Sequence, residues 1–479
     1  RSYKKLLQAC YVPVHFAEPT DAAAARAWVG ALAGRVTPAS TSGAEAARDG
    51  RALNVGFTYA GVKALGLDET TLGTFGREFI EGMNGDHRQR ALGDTGPLAP
   101  ETWAWGGPKT PTVHGMLFLF AGTPERLAAL LTEETKHAAA AGIALGAPLD
   151  SVMLAGDKEH FGFHDGIAQP RIEGFRGDAD APSNEPEIPA GEVLLGYHNA
   201  YGQYPATASV PVSEAARKLF PVAPPDPYDT TLGERLDLGK NGSYVAFRQY
   251  AQDVKAFWSF VDQAAAHDAA RRKWLASRMV GRWPNGTPLE HAPHSEPAEF
   301  KADTANEFLY AKDDLYGERC PLGSHIRRTN PRDGMGPTPA ESLMVADRHR
   351  LLRRGRAYGP PLAASFDPAD ILASDGGGER GLHFICFNTD LGRQFEFVQS
   401  TWVNSMKFDG LYTDPDPVIA PHRDPAHPAT HPEEISSFTV QQCPVRHRVN
   451  NIPRFVTIRG GAYLFMPGIK ALGYFADPK

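Results

Sequence analysis

Cysteine is scarce in this chain. The 479 residues hold four, Cys10, Cys320, Cys386 and Cys443, with no CxxC pair among them. That spacing excludes zinc-ribbon and thioredoxin-type sites, and so few cysteines in so long a chain make no disulfide scaffold. Reduced, mostly buried thiols are expected, and they fit a cytoplasmic setting. No uninterrupted apolar run of about 18 residues occurs, so no membrane-spanning helix is expected. Residues 1–5 (RSYKK) lead into no long apolar stretch, so no signal peptide is read there, with export after removal of a leader as the alternative to the cytoplasmic setting. Positive charge is not in excess either: 49 Lys and Arg stand against 56 Asp and Glu, a net of -7. Nucleic acid is therefore not the expected partner, because phosphate binding needs a concentrated cationic face. GxxxxGK[ST], HExxH and GxSxG are all missing, which removes the main support for P-loop, zincin and α/β-hydrolase readings. No short period recurs, which argues against solenoids and propellers.

What is present is a chain 42% hydrophobic, ample for a large core, with 40 prolines pointing to long ordered loops. Its length suits two to four domains, or two large fused units. Residues 21–32 are Ala-rich and predict a helix. Residues 112–121 (TVHGMLFLFA) predict a strand, and Thr123-Pro124 then supplies an N-cap and a first-turn proline for a helix carrying Leu127, Leu130, Leu131 and Ala138. The same order returns at 243–249 as strand and 251–265 as helix, with Val254, Phe257, Trp258 and Val261 on one face. Residues 177–189, 222–237 and 415–432 are rich in Pro, Gly or Asp and read as loops, the last with His422, His427 and His431. Residues 454–458 and 462–466 flank Gly460-Gly461 and predict a hairpin with a glycine turn. Strands interspersed with helices, and antiparallel pairing, predict an α+β fold in two halves, 1–225 and 226–479.

Three stretches could carry chemistry. In FGFHDGIAQP (161–170) two glycines bracket Asp165 in an apolar run. Such an Asp is either an acid/base in a dry pocket or an Asx-turn residue, and spacing alone favours the turn. In CPLGSHIRRTNPR (320–332), an extended backbone would put His325 and Arg327 on one face at period two. A neutral imidazole beside a cation suits a metal ligand, although a structural histidine is the commoner case. In RHRLLRRGRAYGP (348–360), an arginine turned inward would be a permanent cation for stabilising an anion. The glycine-rich DGGGERG (375–381) reads as a turn rather than a phosphate cradle, and His291 with His294 lacks a third ligand.

Taken together, the stretches resemble the dye-decolorizing peroxidases, a heme family. GFHDG (162–166) matches its GxxDG signature, the segment around His325 its proximal-histidine segment, and RRGRAYGPP (353–361) its distal-arginine segment. GEVLLGYHNAYG (191–202), GLHFICFNTDLGRQFEFVQSTWVN (381–404) and RFVTIRGGAYLFMPG (454–468) are further matches in family order, whereas the first 100 or so residues carry none. The resemblance implies two ferredoxin-like halves, each with an antiparallel sheet and packed helices, the C-terminal one holding heme b. It implies Asp165 and Arg353 as the distal catalytic pair, His325 as the iron ligand, and Leu382 and Phe384 lining the distal side. Arg327 is expected to pair a heme propionate, and Glu396 or Asp390 to accept from the second nitrogen of His325. Hydrogen peroxide and aromatic reductants such as anthraquinone dyes and phenolics are the implied partners, and a homodimer is allowed. Trp402 and Tyr358 are candidates for relaying electrons from dyes too bulky for the pocket, though such aromatics more often pack cores. The alternatives are a heme-handling carrier with incidental peroxidase activity and, explaining only GFHDG, a hydrolase using Asp165.

Overall fold

The computed structural model describes residues 3–478 apart from 4, 18–20, 39–49, 176–186, 226–230, 232 and 423–435. His427 and His431, the junction at 225/226 and most of 177–189 therefore lie at or outside the edge of what is described. Its frame is one antiparallel sheet. Strands β1 (Gln8–His15), β2 (Arg51–Phe57) and β3 (Gly115–Ala121) form its N-terminal part, with β3 between β1 and β2, and the short strand Ala144–Leu145 beyond β1. Helices α1 (Ala22–Ala33) and α2 (Pro124–Ala140) connect these strands, which is the ferredoxin-like arrangement. Strands β4 (Ser243–Gln252), β5 (Gly381–Asn388) and β6 (Val456–Met466) form the C-terminal part, with β4 central. The two parts meet where Phe465 of β6 pairs Phe57 of β2.

Alternation along the strands splits the core between the two faces. Tyr11, Phe118, Val245, Phe247 and Leu464 pack on one face. Their neighbours Val12, Leu117, Ala246 and Phe465 pack on the other, beneath α1, helix α3 (Val254–Ala264) and the C-terminal helix Ile469–Ala476. The helices start where the sequence signals it: Asp21 caps α1, Thr123 caps α2 with Pro124 following, and Asp253 caps α3.

One expectation is overturned locally. The pair Gly460-Gly461 makes no hairpin turn, since β6 runs through it as one strand with a register shift opposite Gln249 and Tyr250. The glycines are there for close approach. A Cβ on Gly460 would lie 2.4 Å from Nε1 of Trp105, and one on Gly461 2.6 Å from the Met83 sulfur. Trp402 and Tyr358, at 3% and 7% exposure, are packing aromatics, the reading favoured for them, and neither is a surface relay. As expected, Cys10, Cys320 and Cys386 are buried and unbridged, and Cys443 is exposed. Among the described residues no helix is long and apolar enough to cross a membrane.

Candidate active site

A deep cavity opens between the GFHDG loop, β4, β5 and the helix that begins at His325. Asp165, Arg353, His325, Leu382 and Phe384 all line it, together with Glu159, Arg282, Arg332 and a largely aliphatic wall that includes Ile326, Leu351, Val403 and Ile419. Residues far apart in sequence thus share one space.

Asp165 is held at the end of a tight loop. Its N–H donates to the Asp157 carbonyl (2.9 Å) and its own Oδ1 accepts from the Gly166 N–H (2.6 Å). Gly162 and Gly166 sit at φ +96° and +78°, a region that suits glycine, so the bracketing glycines serve the bend. The carboxylate therefore bonds its own loop through the next residue's N–H, not the one two residues on that an Asx turn needs, and also faces the cavity. Arg353 arrives on a two-residue strand, Leu352–Arg353, that pairs with β5 opposite Cys386. Its N–H donates to Gln169 Oε1 (3.0 Å), and its Nη1 lies 3.7 Å from Asp165 Oδ1. Arg354 turns away from the cavity and donates to Gln169 and to the Arg353 carbonyl. Leu382 and Phe384 alternate with His383 on β5, which directs both into the cavity.

His325 opens a short helix, His325–Thr329, after Ser324. Its Nδ1 lies 2.9 Å from Asp416 Oδ2, which leaves Nε2 for the cavity. Asp416 is fully buried. Burial opposes its charge, but the His325 imidazole, the Ile419 N–H and the Arg328 guanidinium hold its carboxyl below the ordinary value. Arg328, also buried, ties the His325 helix to this region by donating to the carbonyls of Trp402, Ser405 and Asp414.

Three residue assignments from the sequence need correction. Arg327 does not reach the cavity. The backbone there is helical rather than extended, so residues two apart point roughly oppositely, and Arg327 is buried with Nη1 on Asp314 Oδ2 (3.1 Å) and the Cys320 carbonyl (2.9 Å). Glu396 is not the imidazole's acceptor, since it takes the Tyr463 hydroxyl (2.7 Å) and Arg88 Nη1 (2.6 Å). Asp390 accepts from the Arg393 N–H instead (2.8 Å). Asp416 does the work, and its only sequence signal was the DPDP run at 414–417, where an Asp before Pro starts a turn.

The cavity suits a planar, mostly apolar group bearing carboxylates. Arg282 lies on its wall, and its buried Nη2 has no hydrogen-bond partner. Burial, with Arg332 nearby, pushes the Arg282 guanidinium down to about 10, the mark of a cation short of an anion. The aliphatic wall would cover the faces of such a group, and His325 presents a free ring nitrogen for a metal at its centre. The acidic cluster of Glu133, Glu134 and His137 on α2 is no rival, because Arg51 and Arg35 already pair its carboxylates.

Fold and cavity thus define an α+β protein with a largely apolar cavity that a histidine, an aspartate and arginines line, and comparison with known proteins sharpens the class. The family described as "Dyp-type peroxidase, C-terminal" matches residues 228–413. The protein named "Multifunctional dye peroxidase DyP2" from Amycolatopsis is 30% identical over 473 residues, covering 94% of this chain and 89% of that one. "Dye-decolorizing peroxidase msp1" from Mycetinis scorodonius is 26% identical, covering 95% and 82%. A decolorizing peroxidase structure from Auricularia auricula-judae superposes with a TM-score of 0.76 at 24% identity, covering 98% of this chain and 97% of its own. A dye-decolorizing peroxidase solved in complex with 2,6-dimethoxyphenol superposes at 0.74. This chain belongs to the dye-decolorizing (DyP-type) peroxidase family, a heme-dependent family of oxidoreductases, and is a peroxidase.

Proposed function

We propose that the cavity holds heme b and that the chain reduces hydrogen peroxide with electrons from bulky aromatic reductants such as anthraquinone dyes and phenolics. The observation that carries this reading is the convergence of Asp165 and Arg353, 3.7 Å apart, on the cavity that His325 also lines. A solved relative in complex with a dimethoxyphenol supports the substrate class.

Bound heme would supply the iron that takes up peroxide and stores its two oxidising equivalents. His325 would ligate it through Nε2, with Asp416 fixing the tautomer and raising the basicity of the ring. Arg282 and Arg332 would pair the carboxylates. Asp165 would take the proton from one peroxide oxygen and return it to the other, which leaves as water once the O–O bond breaks. Arg353 would stabilise charge on the departing oxygen with its guanidinium. Leu382 and Phe384 would keep bulk water from that space.

The reading is tested by Asp165→Asn and Arg353→Leu. Each is expected to slow the reaction with peroxide by about 100-fold or more while leaving heme content unchanged. Turnover that hardly changes in both would mean a heme carrier rather than a redox catalyst.

A further inference from the structure

We propose that Glu159 is the positioning residue of the Asp165 loop, its carboxylate gathering the loop's main chain and fastening it to the central sheet. The inference rests on the reading of Asp165 as the proton-transfer group.

Residues 158–164 fold back on themselves. The Glu159 N–H donates to the Phe163 carbonyl (2.9 Å), the Gly162 N–H to the Glu159 carbonyl (2.9 Å), and Lys158 Nζ to the Gly162 carbonyl (2.7 Å). Inside that ring Glu159 Oε2 accepts from the Phe161 N–H (2.9 Å) and Oε1 from the Phe163 N–H (3.0 Å). A third donor comes from outside the loop: Nε2 of Gln252, the last residue of β4, reaches Oε2 at 2.8 Å. Asp165 begins two residues after the second of these amides. Helix α3 completes the clamp, with Trp258 Nε1 donating to the Phe161 carbonyl (3.0 Å) and Phe257 packed on the Phe161 ring.

Three donors on one carboxylate make a specific demand. Two oxygens with free lone pairs can meet it, whereas the isosteric amide offers one oxygen and sets an N–H against a donor. Glu159 also lines the cavity beside Asp165, and burial pushes its carboxyl up to about 7 against the pull of the Phe161, Phe163 and Gln252 N–H groups. The His164 and Asp165 N–H groups also bond the Pro284 (3.1 Å) and Asp157 (2.9 Å) carbonyls, so Glu159 fixes the 161–163 main chain that leads into Asp165 and acts with those bonds in setting where its carboxylate lies.

The test compares Glu159→Gln and Gln252→Leu with the parent as heme-loaded proteins, reading amide exchange of residues 160–165, the bimolecular constants for peroxide and for cyanide binding, and the specificity constant for a small phenol. In Glu159→Gln the segment is expected to lose protection and both bimolecular constants to fall about 10–100-fold, with the phenol constant and the heme band unchanged. Gln252→Leu is expected to move in the same direction by less, and it decides the matter if Glu159→Gln fails to hold heme. Parental exchange and parental peroxide constants in both variants would overturn the proposal. Should Asp165→Asn itself leave the peroxide constant intact, the acid/base reading falls, while amide exchange still decides whether Glu159 holds the loop.

Discussion

His325 and Arg327 are two residues apart, yet their fates differ because about half a turn of helix separates them and turns them to opposite faces. His325 faces the cavity with its Nδ1 on Asp416, and removal of that carboxylate's charge by Asp416→Asn is expected to weaken heme binding or activity by about 10–100-fold. A heme titration of the variant checks this. Arg327 and Asp314 form a wholly buried ion pair, so Arg327→Ala is expected to leave the Asp314 carboxylate without that cation, on the Arg319 and Cys320 N–H groups, and to cost about 3–5 kcal/mol of stability. Urea unfolding measures that loss, and the fraction still folded should bind heme as the parent does. Asp165, His325 and Arg353 were legible as candidates only through the resemblance that several stretches carry together, because each local pattern alone favoured a structural reading, and the fold brings the three to one cavity. Asp416, Glu159 and Arg282 were not, since their roles come from partners that only the fold brings near: Asp416 meets His325 from 91 residues away, and Glu159 meets Gln252 from 93.

Among the elements, the strand–helix units at 112–140 and 243–265 were readable from apolar periodicity and capping residues, and they stand within a few residues of where those signals put them. The failure at Gly460-Gly461 is instructive. A glycine pair between apolar runs has the local chemistry of a turn, but here it clears space for Trp105, whose Nε1 donates to Gln249 Oε1 at 2.7 Å. Gly460→Ala is accordingly expected to displace the indole and cost about 1–3 kcal/mol, whereas a hairpin turn would have been spoiled through backbone strain alone. Near-ultraviolet circular dichroism together with denaturant unfolding would register the displaced tryptophan. The helix at 325–329 escaped notice for a related reason. Its five residues carry no apolar stripe, and its arginines are buried by bonds to distant carbonyls rather than by periodicity.

The frame of the molecule is one large sheet shared by two halves, with small two-stranded sheets beside it, and the cavity is drawn from both halves: the GFHDG loop comes from residues before β4, and the remaining walls from β4 onward. Its stability should depend on pH through buried histidines. His160 and His383, bonded to the carbonyls of Tyr358 and Asp150, are pushed down by burial to about 4 from 6.5. Both are therefore neutral in the fold. The stability they contribute is complete above pH 6.5 and is lost as pH falls through about 4, because the unfolded chain binds those protons first. Replacing His383 with Gln is expected to flatten the stability–pH curve in that window by about 1.4 kcal/mol per pH unit, as read from urea unfolding at several pH values.

The central claim is that a heme iron is gripped by His325 in the cavity that Asp165 and Arg353 face. Its most direct test is the visible absorption spectrum during heme titration of the parent chain and of His325→Ala. A Soret band saturating at one heme per chain in the parent, with that spectrum lost in the variant, is the expected result. A parent that stays colourless with heme in excess, or a variant with the parent's spectrum and affinity, would contradict it.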